Sequence, residues 1–159
     1  MFARASHIAE NAYPIHPIAR CIFRYRDSLL VSETRDSLTG ESAYQLPGGE
    51  VAYGEYSWEA IRREIRQRLG EEIRNLIFLG PEENILRQNG SLRHEIIFIF
   101  EGEFENKDAY QQLDGARAGS GDAPGRIVWK PIQEFLKKRL PLSPEGALEL
   151  LSDDSLRRR

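Results

Sequence analysis

Apolar and polar positions along this chain change period several times, and each change marks an element. Ile18 to Tyr25 and Ser28 to Ser32 are short runs rich in Ile, Val, Phe and Tyr, split by Arg26-Asp27, a pattern that predicts a β-hairpin. Glu33 to Ser42 is polar and reads as a loop, after which Ala43 to Leu46 resumes a strand. Pro47-Gly48-Gly49 then interrupts the strand, because proline fixes φ and paired glycines permit backbone conformations and close approaches that other residues resist. From Ser57 the period becomes helical. Trp58, Ile61, Ile65 and Leu69 fall within about 80° on a helical wheel and form one apolar stripe, with Trp58 expected in the core and Gly70 ending the helix.

Ile73 to Leu79, Asn84 to Arg87 and Leu92 to Phe100 read as three further strands, the last two joined by a tight turn at Gln88-Asn89-Gly90. Glu105 to Gly125 is polar and glycine-rich, long enough to predict a mobile lid or a disordered connection. Arg126 to Trp129 returns as a strand, and helices are predicted over Pro131 to Lys138 and Pro144 to Leu151. Hairpins exclude a purely parallel sheet, so the fold class is mixed, α/β or α+β, with helices covering a sheet.

Size supports one domain over residues 1–159, with a core over about 15–151, a flexible loop over about 105–125 and a basic tail at 157–159. At 159 residues, 40% hydrophobic and 30% charged, there is material for one real core. No signal-peptide core opens the chain and no apolar run is long enough to span a bilayer, so the expectation is a cytoplasmic protein without a membrane partner. The formal net charge of −3 provides no broad basic field, which argues against nucleic acid as a main partner. Cys21, the only cysteine, lies in an apolar run and is expected to be a buried hydrophobe.

Candidate chemistry concentrates in and before the central helix. Glu64, Gln67 and Arg68 are spaced i, i+3, i+4 and share one helix face, while Gly48 and Gly49 leave a bare turn able to approach an ion, with Glu55 close before the helix. This stretch resembles the Nudix box, G-x5-E-x7-R-E-U-x-E-E-x-G-U with U a bulky apolar residue. Gly49, Glu55, Arg63, Glu64, Ile65 and Gly70 match. Gln67 and Arg68 stand where the box has its paired glutamates, and Glu71 where it has an apolar residue. The Leu46-Pro47-Gly48-Gly49 approach and the Trp129-Lys130-Pro131-Ile132 segment are also similar to that family.

The resemblance implies an α/β/α sandwich with a mixed sheet and hydrolysis of a pyrophosphate link in a nucleoside diphosphate joined to another moiety. It implies Mg2+ or Mn2+ held by Glu64, a Gly49 carbonyl and Gln67, with an Arg63–Glu55 ion pair in support. It also makes a homodimer an option, which nothing in the sequence itself shows.

The two substitutions have different physical weights. Gln67 keeps an oxygen but offers a dipole in place of a charge. Arg68 stays protonated, and at about 5 Å from a divalent ion it repels by roughly 6 kcal/mol at an effective dielectric of about 20. Its planar fork could instead bind a phosphate directly. Two readings stand at this point: a hydrolase with reduced activity, and a non-catalytic domain that binds a nucleotide or phosphosugar through Arg68.

Other candidates are weaker. Glu71 and Glu72 follow the helix, and Glu82, Glu83, Glu95, Glu101 and Glu103 lie on strands or loops with no distinguishing spacing. His94 reads as structural, and His7 and His16 lack metal-ligand spacing. Of Tyr44 and Tyr53, the loop residue Tyr53 is the better candidate for stacking on a ligand.

Overall fold

The computed structural model describes residues 14–88, 90–117 and 125–151. His7, Asn89 and the basic run at 157–159 lie outside the described residues. Strands β1 (Ile15–Ile22), β5 (Gly48–Glu50), β6 (Ile73–Gln88) and β7 (Ser91–Phe104) form a four-stranded sheet in the order β5-β1-β7-β6. Its β1–β7 pair is parallel and the other two pairs are antiparallel, so the sheet is mixed. In the second sheet, β3 (Ser28–Arg35) pairs antiparallel with β2 (Arg24–Tyr25), β4 (Ser42–Gln45) and β8 (Arg126–Pro131). Strand β9 (Leu142–Ser143) adds to β4 in parallel.

Period-2 alternation in β1 sorts the core into two layers. Ile18 and Ile22 join Leu29, Val31, Tyr44, Leu46, Ile97 and Ile99 in an apolar cluster that links the two sheets. Ala19 and Cys21 point the other way, into a cluster with Phe23, Phe100, Phe104 and helix α1 (Ser57–Leu69). Ala60, Ile61 and Ile65 are the apolar residues α1 buries. The helix starts where the Glu59 carboxylate accepts the Tyr56 N–H at 3.0 Å, and it stops at Gly70, whose φ of 71° is left-handed. Further short helices are α2 (Ala109–Gln112) and α3 (Ile132–Leu136), with a 3-10 turn at Ala147–Leu150.

Several sequence expectations are corrected. The run Ile18 to Tyr25 is not one arm of a hairpin: Phe23 divides it between the sheets, and only Arg24–Tyr25 pairs with β3. Alternation reveals a strand but not its partner, which here is contributed by β7, more than 70 residues away in register pairs such as Ile18↔Ile97. Glu33 to Arg35 continue β3 and are not loop. Ile73 to Leu79 and Asn84 to Arg87 are one strand, with register shifts between Arg74/Ile77 and Phe78/Gly80 absorbing the break in pattern. Gly48 and Gly49 start a strand of their own, β5. The stretch predicted as a loop from Glu105 carries α2, whose Ala109 is buried with Leu113. The predicted closing helices shrink to α3 and the 3-10 turn. Trp58 is 49% exposed and stacks on Tyr56 instead of entering the core.

Candidate functional site

The site is built where β5, α1 and β1 meet. Gly48 has φ of 145°, and a Cβ there would lie 2.0 Å from the Ala19 carbonyl oxygen, so only glycine lets β5 lie this close to β1. At Gly49 a Cβ would stand 2.3 Å from Glu64 Cδ and Oε2. The bare backbone of Gly49 is thus what admits the Glu64 carboxylate against the strand. Glu64 is 8% exposed and is the one charged residue in the buried class among the described residues.

Its charge is met by two guanidinium groups. Arg63 Nη1 donates to Glu64 Oε1 at 2.6 Å, and Arg68 Nε donates to Glu64 Oε2 at 2.6 Å. Burial opposes ionisation of Glu64, but the hydrogen bonds from Arg68 and Arg63 outweigh it and hold the carboxyl below its ordinary value. Arg63 also donates Nε to Glu55 Oε1 at 2.8 Å, Nη2 to Glu55 Oε2 at 3.0 Å, and Nη2 to the Glu50 carbonyl at 2.9 Å. The Arg63 hydrogen bonds lead in pushing the Glu55 carboxyl down, helped by the Ala52 N–H on Glu55 Oε2, and the bonds to Glu55 and then Glu64 push the Arg63 guanidinium up. Arg63 therefore ties the loop before the helix to the helix itself.

The two substituted positions diverge. Gln67 is exposed, and its Oε1 is 3.5 Å from Arg63 Nη1. Arg68 turns inward to Glu64, while its two terminal nitrogens make no hydrogen bond among the described residues. Arg68 also lines a cavity of about 410 Å³, together with Ile18, Arg20, Gln45, Gly48, Gly49, Glu50, Glu64 and Arg93. Three arginines against two glutamates give this lining one net positive charge. Arg20 lies on the inter-sheet face of β1 between Ile18 and Ile22, donates Nη1 to the Leu46 carbonyl at 3.1 Å, and is lowered by burial to about 10. Arg93 donates Nε to Glu95 at 2.5 Å and Nη2 to Glu50 at 3.0 Å, and the Glu95 hydrogen bond leads in raising it.

Sequence reasoning missed Arg20, Arg93, Gln45 and Glu50. Arg20 did leave a trace, as a charged residue in the middle of an otherwise apolar strand. Tyr53 is fully exposed and is not among the residues lining the cavity, and Tyr44 is buried with its hydroxyl donating to Glu33. The alternative carboxylates are engaged elsewhere. Glu71 lies beyond the helix end and accepts from Asn106, Glu72 pairs with Arg66, and Glu82 accepts the Gly146 N–H. Glu83 pairs with His94, Glu101 with Arg24 and Glu103 with Arg74. His16 lies 3.5 Å from Glu50.

Comparison with known proteins agrees with the architecture. The NUDIX domain profile matches residues 14–151, and the chain belongs to the Nudix family. No curated protein sequence matches it. Among solved structures, it is similar to a NUDIX hydrolase from Nitrosomonas europaea, with a TM-score of 0.63 at 18% identity over 86% of each chain. A MutT protein from Bacillus halodurans gives a TM-score of 0.59 at 19% identity, over 91% of this chain and 84% of that one. A MutT NUDIX hydrolase from Burkholderia pseudomallei gives 0.58 at 20%, over 76% and 85%. At these identities the structures speak for the fold, which is mixed α+β with mixed sheets.

Nudix hydrolases generally use divalent metals. The residues present here do not fit one. Each oxygen of Glu64 accepts a hydrogen bond from a guanidinium group, Gln67 is neutral, and Arg68 places positive charge beside the remaining carboxylate. Among the described residues, no group of three or more His, Cys, Asp or Glu side chains could hold a metal ion. Nor is any helix among them long and apolar enough to cross a membrane.

Proposed function

We propose that this Nudix-family protein binds the phosphate groups of a nucleotide or phosphosugar in the cleft between β5 and α1, through Arg68, and that its hydrolysis of pyrophosphate links is greatly reduced. The observation that carries this reading is the inward Arg68: its Nε anchors it to Glu64, and it lines a cavity that Arg20 and Arg93 also line. A guanidinium so anchored is pre-oriented, and its planar fork matches the oxygens of a phosphate. Glu55, Arg63 and Glu64 then hold Arg68 and the glycine turn in place, where the family's usual box would work on water. The ligand is a small phosphate-bearing molecule, a nucleotide or a phosphosugar, and neither nucleic acid nor a homodimer is required.

The test pairs binding with turnover. Calorimetry without added metal is expected to show ADP and pyrophosphate binding, weakened about tenfold or more in Arg68→Ala, as for loss of one charge-assisted contact. A phosphate-release screen over nucleoside triphosphates, sugar nucleotides, ADP-ribose and dinucleoside polyphosphates, with Mg2+ and with Mn2+, is expected to show little turnover. Rapid turnover that requires the metal and disappears in Glu64→Gln would overturn the proposal and restore the hydrolase reading.

A further inference from the structure

The phosphate cleft does not end at Arg93. A second cavity of about 570 Å³ opens from it and shares Arg20, Gln45 and Arg93 with the first, so the two are compartments of one cleft. Both volumes fall within the range of small-ligand pockets. The arginines belong to the shared wall and the first compartment. The second compartment adds other chemistry to its lining: Asn84, Glu95, Ser143 and Glu145 supply an amide, two carboxylates and a hydroxyl.

Much of that hydrogen-bonding capacity is unspent. The Gln45 amide and the Ser143 hydroxyl make no side-chain hydrogen bond among the described residues. Asn84 uses one N–H on Glu95 at 3.3 Å, and Glu145 has only a 4.0 Å ion pair with Lys138. Leu86 and Leu142 provide two small apolar surfaces between these groups.

We infer that this second compartment takes a polyhydroxy ring joined to the bound phosphate, making the ligand a sugar phosphate recognised by its sugar and not by a base. The inference rests on the proposed phosphate site and extends it. Glu145, held by no more than its 4.0 Å ion pair with Lys138, and Glu95, paired with Arg93, both accept hydrogen bonds from hydroxyls. Alternating amide, hydroxyl and carboxylate groups match a ring of hydroxyls that both donate and accept, and the leucines suit its C–H faces. Among the described residues, no aromatic ring lines either compartment to stack on a nucleobase.

Metal-free calorimetry with inorganic phosphate, a hexose 1-phosphate, ribose 5-phosphate and AMP tests this on the full chain. The hexose phosphate is expected to bind at least about tenfold tighter than inorganic phosphate, and AMP no tighter than ribose 5-phosphate. Asn84→Ala and Glu145→Ala should each lower hexose phosphate affinity by about five- to tenfold, the loss of one polar contact, while leaving inorganic phosphate unchanged. The unchanged phosphate binding also certifies that the variants fold. A hexose phosphate that binds no tighter than inorganic phosphate, or an AMP preference over ribose 5-phosphate, overturns the sugar assignment and leaves the phosphate site standing. Failure of all four compounds to bind overturns the phosphate reading beneath it.

Discussion

Restoring the family's carboxylates tests directly whether Arg68 has displaced the metal. In the double variant Gln67→Glu with Arg68→Glu, residues 64, 67 and 68 would all carry negative charge on one face of α1. The first effect is on stability without metal. The Arg68–Glu64 bond is 2.6 Å long, which puts the charge centres about 4 Å apart, or about 4 kcal/mol at an effective dielectric of about 20. Arg68 is 39% exposed, so screening leaves about 1 kcal/mol of net stabilisation. Removing that, adding like-charge repulsion and placing negative charge in the last turn of the helix together cost about 2–3 kcal/mol. For a chain of this size the melting temperature should fall by roughly 4–12 °C.

The second effect is on metal binding. Mn2+ at about 100 times its Kd should restore about 2.7 kcal/mol, nearly the whole loss. Thermal melts with and without Mn2+, alongside calorimetry, read both effects. The wild-type melting temperature is expected to be indifferent to Mn2+. Wild-type stabilisation by Mn2+ comparable to that of the variant would refute the claim that Arg68 excludes the ion. A variant that melts lower but gains nothing from Mn2+ would show that the site's geometry, and not only its charge, departs from a metal site.

Three further outcomes follow from the geometry. Gly48→Ala should cost about 3 kcal/mol in urea unfolding, because the clash is with the Ala19 backbone, whereas Gly49→Ala should cost about 1–2 kcal/mol and mainly impair phosphate binding by displacing the Glu64 carboxylate. Glu55 and Glu64 are held below their ordinary value of 4.5, so the stability they add is fully present above that pH and is lost as pH falls through the folded-state values. The urea midpoint should therefore drop below about pH 4.5 more steeply in wild type than in Glu55→Gln. Cys21 is fully buried, and burial raises its thiol pKa, so a thiol reagent should label it only after denaturation, at a rate set by unfolding.

The central helix was legible in the sequence because its information is local. The spacing of Ile61 and Ile65, the stop at Gly70, and the shared face of Glu64 and Arg68 all follow from 3.6 residues per turn. The glycines at 48 and 49 likewise announced a close approach, though not that Ala19 and Glu64 were the groups approached. Partner choice was not legible. Nothing local says that β1 pairs in parallel with β7, or that Phe23 carries the chain from one sheet to the other, because those contacts are settled by burial summed over both layers.

By itself, then, the sequence determined the family, the helix and the loss of two box carboxylates. Which way Arg68 turns was left open, since a long side chain at this position could point to solvent or inward. Only the tertiary structure decided it. Gly49 brings strand and helix close enough to bury Glu64, and a buried carboxylate needs a cation to hold its charge. In this chain Arg68, together with Arg63, supplies that positive charge. The same folding sets Arg20 and Arg93, far apart in sequence, beside Arg68 in the lining of one cavity.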